Sequence, residues 1–222
     1  MSMRAVIGAG ATLLWAAPAA AIDVSGEAGL VSDYRYRGVS LSRGHPALQA
    51  ELTLEHESGL YADLWGSTLG HRDEAEVDVT GGYAKDLSEH VSIDLSGTYF
   101  VYPSAHVDNY VEGTALLSAT HGAASLGLGV SYAPPQRGTG HDGNAYWFGT
   151  ADYAIPKSPL TLKAGLGYER GAFDEVAHGG KWDWSLGGEL ALKPARLGLA
   201  YVGSNADGGD RHALVASAFV AF

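Results

Sequence analysis

The chain alternates apolar and polar residues over most of its length. In the clearest segment, residues 48–55, leucine or alanine stands at every even position and Gln, Glu or Thr at every odd position. Successive side chains of a β-strand point to opposite faces of the sheet, so this period of two predicts strands with one apolar and one polar face. Twelve such segments follow one another, at residues 24–34, 45–57, 60–69, 74–85, 91–102, 108–120, 123–132, 144–155, 159–169, 181–192, 195–203 and 211–222.

The links between these segments alternate in length. Short turns fall at residues 57–59, 86–90, 121–122, 156–159 and 193–194, and mostly longer polar links at 35–44, 70–73, 103–107, 133–143, 170–180 and 204–210. Short periplasmic turns and longer external loops are typical of outer-membrane barrels. We therefore predict an all-β fold, a single-domain transmembrane antiparallel up-and-down β-barrel of twelve strands with both termini in the periplasm. Ten strands would result if one hairpin lay outside the sheet.

One segment also permits a helical interpretation. Residues 114–136 contain no Asp, Glu, Lys or Arg, which is long enough for a transmembrane helix. However, His121 and Gly122 interrupt the segment, and Ser or Gly occupies every second position from Ser125 to Ser131. Because Ser and Gly are poor helix formers and alternation suits a strand, we predict two strands joined by a turn.

Aromatic residues cluster near the ends of the predicted strands. Such clusters predict two aromatic girdles at the membrane interfaces. The loop-side set is Tyr34, Tyr36, Tyr99, Tyr102, Tyr110, Tyr132, Tyr146, Trp147, Tyr168, Trp182 and Tyr201, and the turn-side set is Tyr61, Tyr83, Tyr153 and Phe222.

The N-terminus has the pattern of a secretory signal peptide. Arg4 precedes an uncharged apolar stretch, which ends in the small-residue sequence Ala19-Ala20-Ala21. This pattern predicts a cleaved signal peptide at residues 1–21 and a mature outer-membrane β-barrel at residues 22–222, exported to the cell outer membrane of a Gram-negative bacterium. The last strand ends on Phe222, like the C-terminal signal of outer-membrane barrels, so we expect recognition by the barrel-assembly machinery.

The composition removes several functional classes. The chain has 14 Lys and Arg against 25 Asp and Glu, a formal net charge of −11, so nucleic acid is an unsuitable partner. It has no cysteine, which excludes disulfides and thiolate zinc sites. No cofactor and no metal site are implied. The expected partners are outer-membrane lipid and lipopolysaccharide, together with small solutes or ions, and the sequence leaves the oligomeric state open.

Several motifs in the first half of the chain resemble the TorF family of putative porins. They are Ser32-Asp33-Tyr34, Arg37-Gly38, Ser40, residues 57–61 (ESGLY), Trp65, residues 76–78 (EVD), residues 81–83 (GGY), residues 99–103 (YFVYP) and residues 110–112 (YVE). The order and spacing agree over residues 24–115, and the second half matches in pattern only. The resemblance implies an outer-membrane channel and brings no catalytic residues.

If the apolar face of each strand meets lipid, the opposite face looks into the barrel. Because charges toward hydrocarbon are costly, we place there Glu27, Asp33, Arg35, Arg37, Glu51, Glu55, Asp63, Trp65, Glu76, Asp78, Asp94, Glu112, Asp152, Lys163, Glu169, Asp183, Glu189 and Arg196. Lumen-facing glycines at 127, 129, 165 and 167 are expected to leave space along one wall. Carboxylates in excess predict a porin that passes small hydrophilic solutes by diffusion and prefers cations.

Two alternatives remain open. The interior could instead be plugged by arginine–carboxylate networks and aromatic rings, which would make the protein a structural barrel. Independently of that choice, Arg35 and Arg37 at the outer rim of the first strand could form a constriction, bind lipopolysaccharide phosphates, or simply pair with Asp33 and its neighbours.

An outer-membrane lipase or protease is the remaining class. It would need a histidine beside a carboxylate, as at His141-Asp142 or in the loop with Asp174, Glu175 and His178. The nine histidines are scattered without metal-ligand spacing, so we predict that the protein is not an enzyme.

Overall fold

The computed structural model describes residues 22–70, 74–103, 107–207 and 211–222. The predicted signal peptide lies outside these residues. Fourteen β-strands are present in the described chain: β1 Ile22–Val31, β2 Arg35–Tyr36, β3 Val39–Ser40, β4 Ala47–His56, β5 Leu60–Thr68, β6 Ala75–Asp86, β7 Val91–Val101, β8 Tyr110–His121, β9 Ala124–Ala133, β10 Asn144–Ala154, β11 Leu160–Gly171, β12 Lys181–Leu192, β13 Ala195–Ser204 and β14 His212–Ala221.

Twelve of these strands form one closed antiparallel barrel. β1 and β4 to β14 pair in chain order, and β14 pairs with β1 to close the ring, for example Leu30 with Ala218. Closure gives every strand a partner on both sides, which satisfies the backbone polar groups without water. The prediction of a twelve-stranded barrel is confirmed, and the ten-stranded alternative is not.

The uncharged segment at residues 114–136 is a strand hairpin. β8 and β9 pair antiparallel up to His121 and Ala124, as the alternation of Ser and Gly predicted. Within the described residues, helix is limited to a single 3-10 turn at Arg137–Thr139, and none is long and apolar enough to span a bilayer.

The barrel has an apolar outside and a polar inside. Leu128 and Leu214 each keep 69% of their surface exposed on the outer face, and Leu186 keeps 65%. In contrast, the largest fully buried side chains include Glu76, Glu169 and Asn144. This inverted distribution suits hydrocarbon outside and an enclosed polar lumen inside.

The aromatic girdles are only partly as predicted. The residues whose rings lie on the outer face are Tyr99, Tyr132, Trp147, Tyr153, Tyr168, Trp182, Tyr201 and Phe222, and the Tyr168 ring packs between Trp147 and Trp182. Tyr34, Tyr36, Tyr61, Tyr102, Tyr110 and Tyr146 instead contact groups inside the barrel. Position along a strand sets only the height of a ring, whereas its odd or even register decides the face.

The longest departure from the simple barrel is the link between β1 and β4, residues 32–46, here called the first loop. Its two short strands, β2 and β3, form a separate two-stranded hairpin. Tyr34 is 8% exposed and Ser42 is completely buried, although both belong to a connecting segment. The first loop therefore folds into the barrel rather than extending away from its rim.

Candidate functional site

The first loop is shaped by one carboxylate. Asp33 accepts hydrogen bonds from the Ser40 hydroxyl at 2.5 Å and the Ser42 hydroxyl at 3.0 Å, and it pairs with Arg35 Nε at 2.6 Å. Burial raises the pKa of Asp33, but these donors stabilise its charged form more strongly, so its pKa lies below the ordinary value. Arg35 thus pairs with Asp33, which is one of the three arrangements considered from the sequence.

The tip of the β2–β3 hairpin is a two-residue turn that places an arginine in the lumen. Arg37 and Gly38 have φ values of 48° and 81°, the left-handed backbone of tight hairpin turns. A Cβ on Gly38 would lie 2.7 Å from the Gly203 carbonyl oxygen and 2.7 Å from the Ser204 Cβ. Only glycine therefore permits this close approach of the tip to β13.

Arg37 joins the tip to two other walls of the barrel. Its Nη1 lies 2.6 Å from Glu169 Oε1 on β11, and its Nη2 donates to Glu112 on β8. The guanidinium also lies over the Tyr146 ring at 4.1 Å and over the Tyr36 ring at 4.7 Å. The alternative in which Arg37 pairs with Asp33 is therefore wrong, because its 6% exposed side chain pairs with Glu112 and Glu169 instead.

A second anchor of the first loop is Tyr34. Its hydroxyl donates to Glu76 Oε2 on β6 at 2.9 Å, and the Tyr102 hydroxyl donates to Glu76 Oε1 at 2.8 Å. The Tyr34 ring also packs against Trp65, with centroids 5.2 Å apart. These contacts hold the base of the loop against the wall formed by β5 to β7.

The wall opposite Tyr34 is fixed around Glu169, which is 1% exposed. Lys181 Nζ lies 2.6 Å from Glu169 Oε2, and Asn144 Nδ2 donates to Oε1 at 2.9 Å. Phe173, from the link between β11 and β12, packs on the Tyr110 ring at 5.0 Å. The first loop and the β11–β12 link therefore contribute to a packed layer in the half of the lumen nearer the longer links. Its residues are Tyr34, Arg37, Glu76, Tyr102, Tyr110, Glu112, Asn144, Tyr146, Glu169, Phe173 and Lys181.

The half of the lumen nearer the short turns is more open. Arg196 bonds to Glu27 and Glu189, with its Nε 2.9 Å from Glu27 Oε2, and its guanidinium lies over the Phe219 ring at 4.3 Å. The Arg196 side chain is 34% exposed and Lys163 is 49% exposed. Water therefore reaches these charges, unlike those around Arg37.

The remaining residues named from the sequence lie on the inner face at different heights. Asp63 accepts from Thr53 at 2.7 Å, and Asp94 accepts from Tyr61 at 3.0 Å. Glu51 is half-buried on β4, opposite Glu27. The others are Asp78 beside Trp65 in the β5–β6 register, Glu55 near the β4–β5 turn, Asp152 opposite Lys163, and Asp183, which accepts a hydrogen bond from the Tyr146 hydroxyl at 3.1 Å. Whether they line a conducting path stays a prediction.

The expectation of free space above the inner glycines is wrong at two positions. A Cβ on Gly129 would collide with the Phe148 ring, and one on Gly167 would collide with the Tyr146 ring. Gly129 on β9 pairs with Phe148 on β10, and Gly167 on β11 lies beside the Tyr146 ring of β10. The missing side chain therefore makes room for an inward-facing ring and not for solute.

Sequence reasoning missed several residues of the packed layer. Asn144 and Lys181 are the first residues of β10 and β12, and their register with Asp152 and Asp183 already indicated an inward direction, whereas Phe173 lies in a link, where alternation gives no direction. Tyr102 and Tyr146 were assigned to the lipid interface. The usable signal for Tyr146 was its register, because it shares parity with Asp152 on the same strand.

The residues considered for an enzymatic site are His141 and Asp142 in one link and Asp174, Glu175 and His178 in another. Among the described residues, no hydrogen bond or ion pair joins His141 or Asp142 to Asp174, Glu175 or His178, and no group of three His, Asp or Glu side chains suits a metal ion.

Comparison with solved structures finds the same barrel architecture in outer-membrane proteins. A KdgM porin matches with a TM-score of 0.63 and 11% identity, covering 90% of this chain and 98% of that one. A NanC porin matches with a TM-score of 0.58 and 14% identity over 90% and 98% of the two chains. LpxR from Salmonella typhimurium, not described as a porin, matches at 0.52 and 10% identity over 89% and 99%. At such identities the likeness establishes the fold alone.

The sequence comparisons give one family match. No curated protein matches this chain. A family model described as "Bacterial protein of unknown function (Gcw_chp)" matches residues 15–218, which does not confirm the TorF resemblance by name. Because the match spans nearly the whole chain, this protein belongs to the Gcw_chp family.

Proposed function

We propose that this protein is an outer-membrane channel through which small hydrophilic solutes diffuse, with a preference for cations. The supporting observation is a closed barrel with an apolar exterior and a carboxylate-rich lumen. Polar groups enclosed by a lipid-facing barrel are useful for carrying water and solutes across hydrocarbon. The porin descriptions of KdgM and NanC are consistent with this role.

The preference for cations is argued from the more open half of the lumen. Glu51, Asp63 and Asp94 lie there on β4, β5 and β7, and the hydrogen bonds that Asp63 and Asp94 accept come from hydroxyl groups rather than cations. Arg196 is already bonded to Glu27 and Glu189. A conduit with excess negative charge concentrates cations and repels anions.

The same charge argues against a polyanionic solute. One KdgM structure is described as a complex with disordered oligogalacturonate, which is an acidic oligosaccharide. The present chain has a formal net charge of −11 and few lumen cations that lack a carboxylate partner among the described residues. We therefore infer that its solutes are cationic or neutral and small.

The test is ion selectivity in planar bilayers. The triple variant Glu51→Gln, Asp63→Asn, Asp94→Asn should move the reversal potential in a KCl gradient toward zero, because three lumen charges are lost. Glu89→Gln, on an exposed turn, is the matched control and should leave it unchanged. An unchanged reversal potential in the triple variant would reject the acidic-lumen mechanism.

A plugged structural barrel is the second candidate, favoured by the packed layer around Arg37. It predicts no conductance above background for the natural protein. Removing residues 35–42 and joining the ends with a short glycine linker should then open a pore. A channel that conducts with the first loop intact contradicts this candidate.

A further inference from the structure

The environment of Arg37 resembles a binding site for a separate guanidinium ligand. Its Nη1 and Nη2 each meet a carboxylate, Glu169 and Glu112, and the planar group lies over the Tyr146 and Tyr36 rings. Carboxylates in the plane and aromatic faces above it are the contacts that the guanidinium shape favours.

Three of the four contacting residues belong to the barrel wall and not to the first loop. Glu112 lies on β8, Tyr146 on β10 and Glu169 on β11. Glu169 is 1% exposed and is oriented by Asn144 and Lys181, whereas Glu112 is 4% exposed and its Oε2 accepts no hydrogen bond from any described residue. The wall therefore presents a built acceptor site, with capacity that Arg37 does not use.

The hairpin that delivers Arg37 is attached differently from the barrel strands. β2 and β3 pair only with each other and form no ladder with the wall. The hairpin is held by the side chain of Arg37, by Tyr36, whose hydroxyl donates to Glu112 and whose ring packs against Phe100, and by the close packing of Gly38 on β13. Such an element can leave the wall without breaking barrel pairing.

We propose that the wall residues Glu112, Tyr146 and Glu169 form a recognition site for solutes that carry a guanidinium group. In the absence of such a solute, the side chain of Arg37 from the same chain occupies this site. A guanidinium-bearing solute competes with Arg37 for the two carboxylates and releases the hairpin tip. The release step rests on the proposed channel function, whereas the binding step does not.

Binding is tested with the full barrel in detergent micelles, using ethylguanidinium as the probe in titration calorimetry. Arg37→Ala vacates the site and should bind the probe saturably. The natural protein should bind the probe at least about tenfold more weakly, because Arg37 competes for the same carboxylates at a high effective concentration. Ethylurea, the neutral analogue of the probe, should bind neither protein.

The site is assigned by removing its acceptors. Arg37→Ala, Glu112→Gln, Glu169→Gln should lose binding, and Arg37→Ala, Tyr146→Leu should weaken it. Heat-modifiable migration in detergent gels confirms that each variant retains the barrel. Equal binding by Arg37→Ala and the variant lacking both carboxylates, or equal binding of ethylguanidinium and ethylurea, would overturn the proposal.

Planar bilayers separate this proposal from the channel function. With the natural protein, ethylguanidinium should increase the frequency of openings, and tetramethylammonium at the same ionic strength should not. If all variants are silent in bilayers while Arg37→Ala binds the probe, the channel function fails and the site stands. If the natural protein conducts but Arg37→Ala does not bind the probe, the channel function stands and the guanidinium site is rejected.

Discussion

Arg37 differs from the surface arginines of this protein in what its charge does. Arg137 pairs with Asp108 while 82% exposed, so solvent screens that pair and its contribution to stability is small. The Arg37 side chain is 6% exposed and contacts two buried carboxylates, Glu112 at 4% and Glu169 at 1% exposed. Removing one member of such a set leaves buried charge without a partner, which is far more disruptive.

Replacement of Arg37 by alanine is expected to free the hairpin tip. We expect single-channel conductance to rise about twofold or more, because the group that crosses the lumen is gone. Arg137→Ala is the matched control and should conduct like the natural protein. Conductance unaltered in Arg37→Ala would show that the solute path avoids the hairpin tip.

Asp33 links the order of the first loop to pH. Its pKa lies below the ordinary value of 3.8, so the charged form is preferred when the loop is folded. A group with a lowered pKa contributes stability above its ordinary pKa, and the contribution disappears as pH falls through the folded value. The loop should therefore loosen in acid below about pH 4.

The measurement is limited proteolysis of the first loop, or current noise in bilayers, as a function of pH. Asp33→Asn should show the loosened behaviour already at neutral pH and should lose most of the pH dependence below about pH 4. A natural protein whose loop stays equally protected down to about pH 2 would contradict this role of Asp33.

Among the elements, the β2–β3 hairpin has the most demanding geometry. Its tip combines a left-handed backbone at Gly38 with close approach to β13, whereas Gly44, also left-handed at φ 73°, has open space around it. Substitutions at the two glycines therefore distinguish the effect of backbone strain from the effect of steric contact. Strain is shared by both positions, and contact with the barrel belongs to Gly38 alone.

Gly38→Ala should displace the tip from β13 and increase open-channel noise, while Gly44→Ala should leave the tip in place at a similar strain cost of about 1–2 kcal/mol. Chemical cross-linking between Val39→Cys and Ser204→Cys, introduced together in each glycine variant, would report the displacement. Equal cross-linking yields in the two variants would show that contact with β13 does not hold the tip.

At the scale of the whole molecule, the barrel is held by the match between its two faces and their surroundings. Leu95 and Ser96 are consecutive residues of β7 at the same height, and Leu95 is 48% exposed on the outer face while Ser96 faces inward. They offer a matched comparison of lipid and lumen. The same new charge meets hydrocarbon at one position and a polar interior at the other.

Leu95→Arg is expected to destabilise the barrel by about 2–4 kcal/mol, the cost of a cation near the middle of the bilayer. Ser96→Arg should cost much less, because acidic groups such as Asp94 share the lumen. Urea-induced unfolding in lipid vesicles measures the difference. A larger loss for Ser96→Arg would reverse the assignment of the two faces.

The strand periodicity, together with the alternating link lengths, predicted the barrel, its twelve strands and the face of most strand residues. A period of two needs no knowledge of distant parts of the chain, and the cost of charge in lipid then decides which parity faces outward, as for Glu51 against Leu52. Glycine and serine at alternate positions likewise identified the β8–β9 hairpin.

Only the tertiary structure decided what fills the lumen. The direction of the first loop depends on Arg37 meeting Glu112 and Glu169, which lie 75 and 132 residues away in the sequence. No local pattern encodes such a meeting, because links lack the alternation that orients strand side chains. The inner glycines show the same limit, since the Phe148 ring that occupies the space over Gly129 comes from the neighbouring strand.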